Sequence, residues 1–311
     1  MKRVVSVSLG TARRDKRSDA EFLGVPFLIE RRGTDGDKRR YRELVAALDG
    51  RVDCFGVGGT DAYVFAGDRR YCFRETLDLM AGARRTPWVD GSGLKHTLER
   101  ETVRWLQESG TLDFRDKRVL LVSAVDRFGM GEALSKRAKS VVYGDILFGM
   151  GLPIPIRSWS TVVRLGRLLL PLITRLPVTW FYPAGEKQEV NTPRHRRFFH
   201  EADVIAGDWH FIRRFMPERL DGKIILTNSS RKAEVELLRE RGAAQLITTT
   251  PQIGGESFAT NVMEAVLVAL LERPPADLTP RDYLDTLGRL GWEPQVTQLA
   301  APPESAPAGV K

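Results

Sequence analysis

The sequence predicts two α/β domains, a mixed α/β layer followed by a doubly wound parallel sheet, and three observations carry that expectation. The chain has 311 residues with 42% hydrophobic side chains, long for one compact core and enough to fill two. From residue 117 onward, short apolar or β-branched runs alternate with stretches of helical spacing, the pattern of strands joined by crossover helices. Between the halves lies TPWVDGSGL, residues 86–94, where an acidic turn closes one strand and opens a helix. The expected boundaries are 1–110 for the first domain and 111–275 for the second, with a short helix and a tail over 276–311.

In the first domain, residues 4–9 (VVSVSL) alternate as a strand, 25–30 and 53–58 read as two more, and 41–48 have helical spacing. Residues 62–73, with Ala66-Gly67-Asp68 in the middle, read as a β-hairpin, 75–83 as a helix and 87–89 as the strand that delivers Asp90. In the second domain, strands are expected at 119–125, 140–143, 203–206, 224–227 and 246–249, with helices at 129–137 and 231–241 among the connections. Residues 258–271 (FATNVMEAVLVALL) form a strongly apolar helix ended by Pro274 and Pro275, and 280–290 a shorter one. The Pro/Ala-rich stretch 300–311 is expected to be disordered.

The formal charge of +8 gathers in clusters such as Arg13-Arg14-Asp15-Lys16-Arg17 and Arg194-His195-Arg196-Arg197. Such clusters suit a small anionic metabolite, with nucleic acid a less favoured partner, although any one cluster alone reads first as a solvated basic face. Cys54 and Cys72 make neither a disulfide framework nor a paired metal-ligand spacing, and no signal-type apolar run opens the chain, so a cytoplasmic setting is expected. The apolar stretch 161–182 is interrupted by Arg164, Arg167, Arg175, Pro171 and Pro177. A span needs about 20 apolar residues, so the stretch reads instead as an amphipathic helix capping a pocket or a homodimer interface.

Candidate site residues lie at strand ends, where an open α/β sheet binds ligands. Asp90 faces the expected interdomain crevice, Lys95 stands one turn into the following helix, and Asp61 or Tyr63 offers a further acid/base group; an ordinary Asp-Gly turn is the alternative for Asp90. Ser6 and Ser8 share one face of a strand. In the segment 185–214, Lys187, Arg194, His210 and Arg213 compose a candidate anion pocket. His200, Asp208 and His210 lack any recognised metal spacing, and no metal is expected there. Ser123 lies at the end of the strand at 119–125, Gly129 and Gly131 follow it, Asp145 follows the next strand, and Thr249 ends a later one, which makes them candidates for holding a nucleotide.

The order Asp90-Gly91-x-Gly93-Leu94, helix, strand and glycine turn resembles the shikimate/quinate dehydrogenase family. There an Asn-Thr-Asp-Gly-x-Gly motif leads into a linker helix and then a Rossmann-like nucleotide-binding domain. The resemblance covers residues 86–145 and the domain order, and points to a quinate 5-dehydrogenase-type protein. It implies an NAD-dependent oxidoreductase acting on a cyclic hydroxy acid. Under that reading Asp90 would serve the reacting hydroxyl, with Lys95, by its own position one turn into the helix, in reach of the same cleft; Ser6 and Ser8 would hold the substrate carboxylate, and Ser123, Gly129, Gly131, Asp145 and Thr249 the NAD. The family's Asn-Val-Thr-x-Pro-x-Lys motif has no counterpart in residues 56–65 (GVGGTDAYVF). Two other readings stand beside it: a non-catalytic basic α/β protein binding an anionic metabolite or nucleic acid, and a hydrolase or transferase using the cluster from Glu186 to His210.

Overall fold

A computed structural model describes residues 1–178, 190–250, 252–253, 256–257 and 259–299, and in it each half of the chain builds its own sheet. The strands are β1 (Lys2–Ser8), β2 (Lys16–Phe22), β3 (Val25–Gly33), β4 (Cys54–Gly58), the hairpin β5 (Tyr63–Ala66) and β6 (Arg69–Cys72), and β7 (Trp88–Val89). There follow β8 (Arg118–Leu121), β9 (Ser140–Tyr143), β10 (Val204–Ala206), β11 (Ile224–Thr227), β12 (Gln245–Thr248), the short pair β13 (Gln252–Ile253) and β14 (Glu256–Ser257), and β15 (Gln295–Gln298). The helices are α1 (Lys38–Leu48), α2 (Arg74–Leu79), α3 (Ser92–Glu108), α4 (Phe128–Ser135) and α5 (Trp159–Ile173). After them come α6 (Arg196–Glu201), α7 (Trp209–Phe215), α8 (Lys232–Glu240), α9 (Thr260–Leu271) and α10 (Pro280–Arg289).

The first sheet has the order β2-β3-β1-β4-β7, parallel except for β2. Strand β1 shows why its sequence alternates. Val4 packs with Leu94, Leu98 and Met263 on one face, while Val5 and Val7 pack with Tyr41, Val45 and Phe55 on the other. Both faces of a parallel strand are covered, so its valines are all buried. Strand β2 (KRSDAEF) was not anticipated: as an edge strand with one uncovered face it carries no run of apolar residues.

The second sheet has the order β15-β12-β11-β10-β8-β9, parallel except for β15, which pairs antiparallel with β12. The architecture is therefore the expected α/β pair of sheets. Helix α9 departs from the expected division of the chain, because it lies in the core of the first lobe although it follows the strands of the second. Its residues from Val262 to Ala269 are all buried against β1, β4 and α3, which accounts for an apolar sequence on every side of the helix. Helix α5 crosses back likewise: Gly166 lies against Ala66 of the hairpin, and Arg167 pairs with Asp68 at 2.6 Å. No helix among the described residues is long and apolar enough to cross a membrane.

The strand orders place two crevices. In the first sheet the chain steps from β1 to β3 on one side and returns to β4 on the other; in the second it steps from β8 to β9 and returns to β10. Each reversal parts the loops at the carboxyl ends of two neighbouring strands, where open α/β sheets take their ligands.

Candidate functional site

The two crevices open on one cleft of about 470 Å3 lined by both lobes. From the first lobe come Ser6 and Ser8 at the end of β1, Gly58 through Asp61 beyond β4, Asp90 beyond β7 and Lys95 on α3. From the second come Asp126 and Arg127 beyond β8, Asp208 through His210 at the start of α7, and Asn228 beyond β11. Ser6 and Ser8 share the face of β1 that carries Val4, and Asn261 at the start of α9 donates to Ser6 Oγ at 2.9 Å. A side chain at Gly58 would meet the Ser8 Cβ at 2.9 Å, so a glycine lets the end of β4 nest beside the serines.

A chain of ion pairs crosses the floor of the cleft. Lys95 Nζ donates to Asp61 at 2.7 Å and to Asp126 at 3.1 Å. Arg127 continues it, with Nε 3.2 Å from Asp126, one terminal nitrogen 2.6 Å from Glu99 and the other 2.6 Å from Asp208. The network ties α3 to the ends of β4, β8 and β10. Burial alone would drive the Lys95 ammonium down, but Asp126 and Asp61 outweigh it and hold the pKa above the usual lysine range. Burial raises the Asp61 carboxyl, opposed by Lys95 and assisted by Asp126 and Asp90. Asp126 is held below its usual value because Lys95 and Arg127 overcome its burial. The floor is thus a fixed array of acceptor carboxylates and donor cations, chemistry that suits hydroxyl groups.

The outer part of the cleft is basic. Arg14 from the turn after β1, Arg31 of β3 and Arg231 before α8 all line it, with His210 at the start of α7. Arg31 donates to Ser8 Oγ at 3.1 Å and to Asp15 at 3.0 Å, which fixes its guanidinium over the serine. Burial lowers the Arg31 pKa, Asp15 resists, and Arg14 and Arg231 add to the lowering. His210 is likewise depressed, first by burial and then, against the pull of Asp208, by Arg14 and Arg231. Arg14 and Arg231 thus lie within electrostatic reach of both Arg31 and His210.

Two of the sequence-picked carboxylates are engaged with backbone. Asp90 is 3% exposed; one oxygen accepts from the Ala62 and Tyr63 nitrogens at 2.7 and 2.8 Å, and the other from Ser92 at 3.0 Å. It locks the loop after β4 to the start of α3, and Lys95, though in the same cleft, pairs with Asp61 and Asp126 rather than with it. Asp145 does the same one lobe away, its Oδ1 accepting from Ala124 at 2.9 Å and Val125 at 3.0 Å. Those nitrogens belong to the turn after β8, where a pyrophosphate would have to sit, so the carboxylate expected to hold a ribose occupies the phosphate's donors instead. Burial, opposed by these bonds, pushes Asp145 up to about 6.

The remaining nucleotide candidates serve packing. An added Cβ at Gly129 would meet the His96 carbonyl oxygen at 2.7 Å, and one at Gly131 the Trp159 ring at 2.8 Å, so both glycines let α4 approach its neighbours. Ser123 is buried beside that turn, and Thr249 is buried, its carbonyl accepting from the Trp292 indole at 2.9 Å. None of these four lines the cleft. The residues at hand therefore do not fit an NAD molecule. Of the basic segment, Asp208, His210, Phe211 and Arg214 reach the cleft. Arg194 is exposed outside it, Arg213 lies outside it with its carbonyl bound by Asn191 at 2.6 Å, and Lys187 and Glu186 lie outside the described residues. Among the described residues no group of His, Cys, Asp and Glu side chains is placed to hold a metal ion.

Sequence reasoning overlooked Arg127, Glu99, Arg31, Arg231 and Asn261, and named Arg14 only as part of a basic cluster. One signal for Arg127 was present: two charged residues, Asp126-Arg127, between an apolar strand and an apolar helix start are costly unless paired.

Comparison with solved structures finds an ABC transporter periplasmic solute-binding protein from Actinobacillus succinogenes 130z with bound D-allose. It is 9% identical over 96% of this chain and 98% of that one, with a TM-score of 0.36. GanP, a glucose-galactose binding protein from Geobacillus stearothermophilus, is 10% identical over 96% and 97%, at 0.36. The hetero-hexameric glutamate dehydrogenase from Thermus thermophilus is 13% identical over 93% and 73%, at 0.41. No curated protein matches the sequence.

The expectation of an NAD-dependent oxidoreductase, quinate dehydrogenase-like, is corrected by the geometry of the site: the turn that NAD requires is capped by Asp145, and none of the other residues expected to hold NAD lines the cleft. Two family models meet at the junction beside Asp90: one described as Domain of unknown function (DUF8753) matches residues 3–90. The other, Domain of unknown function (DUF8754), matches residues 93–299, and the chain belongs to that family.

Proposed function

We propose that the chain binds a small, hydroxyl-bearing anionic metabolite in the cleft between its lobes. The observation that carries this reading is the ion-pair chain from Asp61 through Lys95, Asp126 and Arg127 to Asp208, which fixes groups of both signs at the meeting of two strand-end crevices. Eight cations and six carboxylates line the cleft among the described residues, an excess of positive charge that favours an anion while leaving acceptors for hydroxyls. A concave site of this size fits a small molecule. A nucleic acid would meet carboxylates interleaved with the cations, which speaks against it. The two free cysteines suit a reducing, cytoplasmic setting.

Thermal unfolding of the purified chain against a panel of hydroxylated carboxylates, sugar acids and phosphorylated polyols tests the reading. At least one member should raise the melting temperature in a saturable way, and Asp208→Asn should weaken that response. A panel without any effect would remove the proposal.

A further inference from the structure

We propose that the ligand of the cleft carries a phosphoryl group, seated at the outer end between Arg14, Arg31, Arg231 and His210, while its hydroxyls run inward to Asp61, Asp126 and Asp208. The inference rests on the cleft being a ligand site, and goes further in naming the chemical class and the orientation of what it takes.

The four outer groups come from four separate elements and from both lobes, yet line one cavity, with Arg14 and Arg231 in electrostatic reach of both Arg31 and His210. Arg14 and Arg31 stand on the first lobe, Arg231 and His210 on the second, so an anion between them bridges the lobes. Each of the four is fixed or enclosed. Glu234, 6% exposed at its side chain, grips the Arg231 guanidinium at 2.5 Å, Ser8 and Asp15 hold Arg31, and Arg14 and His210 are half-buried. Burial is the first cause of the lowered Arg31 and His210 pKa values, and Arg14 and Arg231 add to both, which places the three guanidinium groups and the imidazole within electrostatic reach of one another.

Asp15 and Glu234 already hold Arg31 and Arg231, so what this end offers a ligand is several hydrogen-bond donors, more than the two oxygens of a carboxylate, which one guanidinium matches in bidentate geometry. A phosphate monoester brings close to two charges and three acceptor oxygens, enough for several donors at once. The inner end fixes the direction. Carboxylates of Asp61, Asp126 and Asp208 repel an anion and accept from hydroxyls, and Ser6 and Asn261 add neutral polar groups beside them. A polyol phosphate satisfies both ends; a sugar acid or a neutral sugar satisfies one.

Calorimetric titration of the full chain with glucose 6-phosphate, ribose 5-phosphate, the parent sugars, gluconate and inorganic phosphate decides the matter. At least one sugar phosphate should bind about tenfold or more tightly than its parent sugar and than gluconate, and inorganic phosphate should compete with it. Arg231→Gln and Arg14→Gln should each weaken the phosphate ester about tenfold while leaving binding of the parent sugar unchanged. Gluconate or a neutral sugar binding as tightly as the phosphorylated probes, or phosphate-ester binding indifferent to both arginine variants, would overturn the phosphoryl assignment and leave the cleft as a ligand site. Absence of binding by every probe would overturn both.

Discussion

Arg127 donates to Glu99 at 2.6 Å with both side chains almost sealed from solvent, 2% and 1% exposed. Glu99 belongs to α3 and Arg127 to the turn before α4, so the pair fastens the connecting helix to the second lobe at the back of the cleft. Burial raises the Glu99 carboxyl, and Arg127 is what opposes that rise. Removing the cation takes the guanidinium from Glu99 and Asp208 and leaves Asp126 with Lys95 alone. Arg127→Met should therefore cost about 3 to 5 kcal/mol of folding stability in urea titration, the scale of a broken buried ion pair. A loss below about 1 kcal/mol would show that the network does not support the fold.

Asp145 should behave as a structural cap. Asp145→Ala leaves the Ala124 and Val125 nitrogens without their acceptor and should destabilise the chain by about 1 to 3 kcal/mol. Asp145→Asn retains an acceptor oxygen and should cost less. Equal losses in the two variants, measured by denaturant midpoint at one pH, would speak against the cap.

Asp90 uses both oxygens for three backbone donors. An asparagine supplies one acceptor and turns an NH2 group toward a donor, so Asp90→Asn should lower stability by about 1 to 3 kcal/mol. The same fold should be retained by circular dichroism. An unchanged melting temperature would contradict the clamp described for this residue.

Glu264 gives a pH dependence with a definite sign. Burial raises its carboxyl to about 8, with Asp90 adding to the rise and the Tyr283 hydroxyl, 3.0 Å away, opposing it, against an ordinary value of 4.5. The folded chain holds the proton more tightly than the unfolded one. Its contribution to stability is therefore complete below about pH 4.5 and fades as pH rises through about 8. Glu264→Gln should flatten the fall in melting temperature across this window and leave the variant more stable than the parent at pH 8 to 9. A parent and variant with parallel pH profiles would refute it.

The fold was legible where burial on two faces forces apolar runs, as in β1, β8 and α9. It was hidden where exposure relaxes the pattern: β2 is charged along an edge, and β15 closes the far edge with half-exposed residues. Helices α6 and α7 are short and begin within the basic segment, where charge density obscures period. The site was half legible. Asp90, Lys95, Ser6, Ser8 and His210 line the cleft because strand ends converge there, a consequence of topology that alternation of strands and helices reveals. Gly129, Gly131 and Asp145 misled because a glycine lets two helices approach as readily as it admits a phosphate. Likewise, a carboxylate after a strand caps a neighbouring turn as readily as it holds a ribose. Sequence spacing shows none of these partners. Arg31 and Arg231 stand 200 residues apart in the chain and meet only through the facing of two sheets.

Hydrogen exchange read by mass spectrometry, with and without a ligand identified in the thermal panel, tests the central claim most directly. Binding in the cleft should slow exchange in both lobes together, at residues 57–62 and 90–95 of the first and 123–127 and 207–211 of the second. Protection confined to one lobe, or lying outside these four segments, would contradict a site shared between the lobes.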